Sequence, residues 1–117
     1  MRYARSLGVQ IQAYSSFGNL SQKKPGDLIF EQEPIKQAAA KYNKSPAQIS
    51  LRWALQRGTI IMPKSERVER LQENMELFDF SLNDAEMKAI TKLDRNCRFL
   101  DPAVFTDAAN CFQPIYE

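Results

Sequence analysis

Lys64, Ser65, Arg67 and Arg70 crowd into one short stretch, directly after the β-branched and apolar run Thr59-Ile60-Ile61-Met62. The run predicts a strand, Pro63 cannot continue a central strand, and Ser65 is suited to cap a following helix. A helix start presents unpaired N–H groups and the positive end of a dipole. With Lys64 beside it and Arg67 and Arg70 on its first turns, the segment is suited to a phosphorylated ligand at the strand's C-terminal end. The same residues support a plainer reading. Val68, Leu71, Met75 and Phe78 recur at helical spacing and predict one buried face. The cations are balanced by Glu66, Glu69 and Glu73, with Glu66 and Arg70 at i,i+4, so spacing alone describes a solvated charged face.

Pro63, Lys64 and Ser65, with Arg70, Glu73 and Asn74 behind them, resemble the cofactor segment of the aldo-keto reductases. In that family the last barrel strand ends in Pro-Lys-Ser and leads to a helix carrying Arg and then Glu-Asn. The resemblance implies NADPH as cofactor. It implies that Lys64 and Arg70 hold the 2′-phosphate of the adenosine, that Ser65 binds the same phosphate region, and that Glu73 and Asn74 meet the adenine. Ala13-Tyr14-Ser15 followed by Gly18 is similar to the family's seventh strand and exit loop. By that resemblance Tyr14 stacks on the nicotinamide, a role suited to a flat unreactive ring, and Ser15, Phe17, Asn19 and Leu20 touch the pyrophosphate. The family often has Leu where this chain has Phe17. Apart from the resemblance, Tyr14 reads as a core tyrosine.

These residues need elements to position them. Val9 to Tyr14 alternates, with Val9, Ile11 and Ala13 on one face and Gln10, Gln12 and Tyr14 on the other, which predicts a strand opening into a loop at Ser15. On a lone sheet the glutamine face is the wet one. In a closed barrel it faces the lumen, and Val9, Ile11 and Ala13 pack on the helices. Ser21 to Glu33 is polar, with Pro25-Gly26 and the apolar island Leu28-Ile29-Phe30, and reads as a loop over the ligand site. Pro34 opens a helix with Ile35, Ala38, Ala39 and Tyr42 on its buried face, ending near Asn43. Ser45-Pro46-Ala47-Gln48 is a capping-box start for a helix that runs to Arg57 and stops at Gly58. It also resembles the family's seventh helix and is assigned to structure. Phe78 to Leu82 is a linker with buried aromatics, and Asn83 to Leu93 a helix with an Asn83–Glu86 capping box and a Met87, Ile90, Leu93 stripe. Arg95 to Glu117 has no usable period. The resemblance puts this tail at the substrate pocket, with Phe105, Phe112 and Tyr116 as candidates to line it; the plainer role for at least some of these rings is to anchor the tail onto the core.

A chain of 117 residues, 44% hydrophobic and 26% charged, suits one compact soluble domain. A net charge of +2 with interspersed signs argues against a nucleic-acid partner. No apolar run suits a signal peptide or a membrane span, so no membrane partner and a cytoplasmic location are expected. Cys97 and Cys111 are expected to be reduced, and with no histidine a zinc site lacks its usual ligand.

The order strand, helix, helix, strand, helix, helix predicts an α/β fold: two adjacent parallel strands with flanking helices, an incomplete (β/α)8 TIM barrel. Residues 1–117 are expected to form the C-terminal part of an aldo-keto reductase domain, as a fragment or truncated form. The resemblance places the catalytic tyrosine, lysine, aspartate and histidine in earlier barrel units. No catalytic residue is therefore expected here, and a carbonyl substrate only if the barrel is completed. Two strands cannot close a barrel, so open sheet edges invite self-association. The alternative function is a non-enzymatic interaction module using that edge. A third reading, an independent phosphate-binding domain, needs a pocket complete within these residues.

Overall fold

The computed structural model describes residues 2–17 and 28–95. Its best-specified elements are the helices whose ends carry local capping chemistry. Helix α1 spans Arg2–Ser6 and strand β1 Ile11–Gln12; helices α2 (Glu33–Tyr42) and α3 (Pro46–Gln56) precede strand β2 (Thr59–Ile60); α4 (Val68–Met75) and α5 (Asp84–Thr91) follow. The Gln48 N–H donates to Ser45 Oγ at 3.3 Å and the Ser45 N–H to Gln48 Oε1 at 2.9 Å, closing the predicted box of α3. Asn83 and Glu86 do the same for α5 at 2.9 and 2.8 Å. Asn43 turns the chain out of α2 at φ 51°, a left-handed conformation that asparagine tolerates. Gly58 ends α3 at φ 69°.

The core lies among α2, α3 and α5. Ile35, Ala38, Ala39, Ile49, Leu82 and Ile90 are buried together, with Tyr42, Trp53, Phe80, Met87 and Leu93 packed around them. Each fully buried Ile or Leu contributes about 1.5–3 kcal/mol relative to exposure. Polar ties then set how the elements meet. Gln56 bonds both backbone groups of Leu82, at 2.9 and 2.8 Å. Lys44 Nζ meets Asp79 Oδ2 at 2.6 Å, and Trp53 Nε1 donates to Thr91 Oγ1 at 3.3 Å.

The two strands are parallel, Ile11 against Thr59 and Gln12 against Ile60. The ladder is shorter than the predicted Val9–Tyr14 and Thr59–Met62, and the Ala13 N–H extends it by one bond to the Ile60 carbonyl at 2.8 Å. Each strand has a single neighbour among the described residues, so the outer backbone groups lack partners to hold them extended. Val9, predicted to pack against helices, is exposed.

Helix α4 departs most from expectation. It begins at Val68 with Arg67 at its N-cap and no side-chain cap. Ser65 does not cap it: Ser65 Oγ accepts the Arg67 N–H at 3.3 Å in a local two-residue turn, and Arg67 stays extended. Glu66 thus lies ahead of the helix and pairs with Lys64 at 2.9 Å instead of with Arg70. The face predicted to be buried is open: Val68 is 74%, Met75 76% and Phe78 77% exposed, and Leu71 is exposed too. Periodicity identifies the face able to be covered, and no described element covers it. Leu77, off that stripe, is the buried residue. Two short pieces escaped sequence reading, α1 and a 3₁₀ turn at Ile29–Glu31 inside the predicted loop, because neither is long enough to show a period.

Candidate functional site

Parallel pairing sends both strands out of the sheet at the same end, so the two segments singled out by their chemistry emerge side by side. The Met62 N–H donates to Ser16 Oγ at 3.2 Å and ties the loop after β1 to the end of β2. Gln12 Nε2 lies 2.6 Å from Met62 Sδ one step earlier. Residues 13–17 and 61–65 therefore form one rim.

On the β1 side of the rim, Tyr14 is 81% exposed, which overturns the core reading of this ring and leaves its flat face open. Ser15 is exposed and takes φ 50°, an uncommon left-handed conformation for a residue with a side chain, so the chain turns sharply just after the tyrosine. Phe17 is half-buried and meets Phe30 edge-to-face, ring centres 5.3 Å apart, which anchors the loop on the 3₁₀ turn. Asn19, Gly18 and Leu20 lie outside the described residues.

On the β2 side, Lys64 is exposed and Ser65 half-buried. Arg70 is exposed and makes no ion pair with a described residue. Glu73 and Asn74 sit at i+3 and i+4 from Arg70 and so share its face of α4; Glu73 is exposed and Asn74 half-buried. Among the described residues Lys64 is held only by an exposed carboxylate and the Arg70 fork is unused, so both fit a phosphate group as charge-assisted donors. One residue of this region was not anticipated. Gln48, read from sequence as half of a capping box, also donates to the carbonyls of Glu73 and Glu76, each at 3.1 Å. Nothing local in the sequence signals a bond across that separation.

The strongest electrostatic cluster lies elsewhere. Burial pushes the Glu86 carboxyl up, but hydrogen bonds from Lys41, the Asn83 backbone and Tyr42 outweigh it and hold the group below its ordinary range. Its partners are at 2.6 Å (Lys41) and 2.8 Å (Tyr42). The cluster joins α2 to α5 and leaves the rim untouched. Among the described residues no group of three or more metal-ligating side chains exists, and no helix is long and apolar enough to cross a membrane.

The sequence model of the Aldo/keto reductase family matches residues 1–95. The chain belongs to the aldo/keto reductase family. A probable NAD(P)H-dependent D-xylose reductase of Emericella nidulans is 44% identical over 107 residues, covering 86% of this chain and 34% of that protein. The NAD(P)H-dependent D-xylose reductase of Scheffersomyces stipitis is 45% identical over 109 residues, and the NADPH-dependent D-xylose reductase of Meyerozyma guilliermondii 43%. A crystal structure of an aldo/keto reductase from Brucella melitensis superposes with a TM-score of 0.68 at 38% identity, over 80% of this chain and 33% of that one. The chain thus spans about a third of the length of the relatives it matches. The fold class is α/β, two parallel strands and flanking helices of a partial (β/α)8 barrel, with no closed barrel among the described residues.

Proposed function

We propose that this chain forms the C-terminal, cofactor-holding portion of an NADPH-dependent aldo-keto reductase, whose parent activity is reduction of aldehydes and ketones to alcohols. The observation that carries the proposal is the rim: parallel strands and the Ser16–Met62 bond bring the Tyr14 and Lys64 segments to one end of the sheet. Lys64 and Arg70 hold the adenosine 2′-phosphate, Ser65 the same phosphate region, and Glu73 and Asn74 the adenine. Ser15, Phe17 and Asn19 border the pyrophosphate, and Tyr14 offers its open face to the nicotinamide. When bound, the cofactor supplies the hydride. Titrating the chain with adenosine 2′,5′-bisphosphate and with 5′-AMP tests the site. Preference for the former supports it, and equal affinity for both sinks it.

The chain's own residues bind and orient but supply no acid for the developing alkoxide, a group typically worth about 10² to 10⁴ in rate. It has no histidine. In this reading Tyr14 lies under the nicotinamide and Lys64 on the phosphate, which leaves neither to donate a proton. A second reading, an interaction module, draws on the exposed Met62, Val68, Met75 and Phe78. In it the chain pairs its open sheet edge with a partner or with itself and shows no nucleotide preference.

A further inference from the structure

Helix α4 carries three of the proposed nucleotide contacts, yet none of its residues is buried. A packed face therefore does not set its position. What holds it lies at its C-terminal end: Leu77, fully buried just past the helix, and Gln48, which is 4% exposed in the first turn of α3. The whole Gln48 amide is engaged. Its Oε1 accepts the Ser45 N–H at 2.9 Å, and its Nε2 donates to the carbonyls of Glu73 and Glu76, both at 3.1 Å. The end of a helix leaves carbonyls short of partners: the Glu73 carbonyl accepts only the Glu76 N–H locally, at 3.2 Å, so the amide from α3 adds a second bond there, takes up the Glu76 carbonyl just past the helix, and links the two helices.

We infer that Gln48 is a positioning residue for the nucleotide site: it pins the last turn of α4 to the first turn of α3 and thereby sets where Arg70, Glu73 and Asn74 stand. It touches no ligand itself. The inference rests on the nucleotide reading above. Two jobs meet in this side chain, and only the amide does both. A glutamate completes the capping box with Ser45 equally well, but its carboxylate cannot donate to the two carbonyls and would face them as a like partial charge.

Gln48→Glu therefore separates the jobs, and Gln48→Met, with no polar end at the same reach, is a second variant should the first fold poorly. Hydrogen exchange of the full chain is the primary measurement. In both variants the hydrogen-bonded amides of α4, Leu71 to Met75, should exchange about tenfold faster or more, while those of α2 and α5 change little. Affinity for adenosine 2′,5′-bisphosphate should fall alongside, by at least about threefold, with Arg70→Met as the reference loss. Unchanged α4 exchange in both variants overturns the inference, as does acceleration spread evenly over all helices. Faster α4 exchange with undiminished affinity, in a wild-type chain that binds and an Arg70→Met chain that binds less, also overturns it. A wild-type chain that fails to prefer the bisphosphate refutes the nucleotide reading, and with it the role assigned to Gln48, even where exchange shows the clamp on α4.

Discussion

Arg70 and Glu86 show two ways in which a charged residue is used. Arg70 is exposed with no ion pair to a described residue, so its guanidinium is available to an incoming anion at little cost in broken contacts. Arg70→Met should weaken binding of adenosine 2′,5′-bisphosphate by about tenfold, the value of a hydrogen bond to a charged group, and leave 5′-AMP nearly unchanged by calorimetry. Equal losses would return Arg70 to the solvated face that its spacing describes. Glu86 is committed internally, and its pKa is lowered from the ordinary 4.5. A carboxyl with a depressed folded-state pKa contributes stability that is present above 4.5 and is lost as pH falls through the folded value. Urea midpoints measured downward from pH 5 should therefore drop, and Glu86→Gln should flatten that drop. Tyr42→Phe removes one of its three donors and should cost about 1 kcal/mol.

Among the elements, α3 and α5 have closed boxes at their starts, whereas α4 has neither a side-chain cap nor a buried residue. The first two were readable because Ser-x-x-Gln and Asn-x-x-Glu state a complete local hydrogen-bond exchange. The α4 start was misread because Ser65 has two local uses, a cap and a two-residue turn, and the extended backbone of Arg67 selects the turn. The junction of α3 and β2 depends on Gly58. Its φ of 69° is disfavoured for L side chains, while the nearest atom to an added Cβ is Arg5 Nη2 at 3.9 Å. Gly58→Ala thus meets no clash and should cost about 1 kcal/mol through backbone conformation alone, read as a lower denaturation midpoint with an unchanged m-value.

For the molecule as a whole, two strands with one shared ladder leave both outer edges open among the described residues, and the apolar stripe of α4 faces outward. Exposed apolar surface and unpaired strand edges each favour association. Sedimentation of the chain should show mass rising with concentration, and Phe78→Ser with Met75→Lys should reduce it. A strictly monomeric chain at all concentrations would remove the self-pairing form of the interaction reading. The chain assayed alone with NADPH and a reactive aldehyde should show no turnover above a buffer blank. Steady turnover would require a proton donor among these residues.

The amino-acid sequence by itself determined the family, the order of the two strands and the four longer helices, the capping boxes of α3 and α5 and the α2–α3–α5 core, because each is written in residues near one another: capping boxes, periodic apolar positions and the Pro63-Lys64-Ser65 segment. Only the tertiary structure decided the register of the parallel strands, Ile11 against Thr59, that Tyr14 is open, and that the α4 stripe is uncovered. It alone showed that Gln48 reaches the end of α4. The physical reason is that a side chain's pattern states which partners it is able to take, while burial and long-range hydrogen bonds depend on which surfaces the fold brings against it.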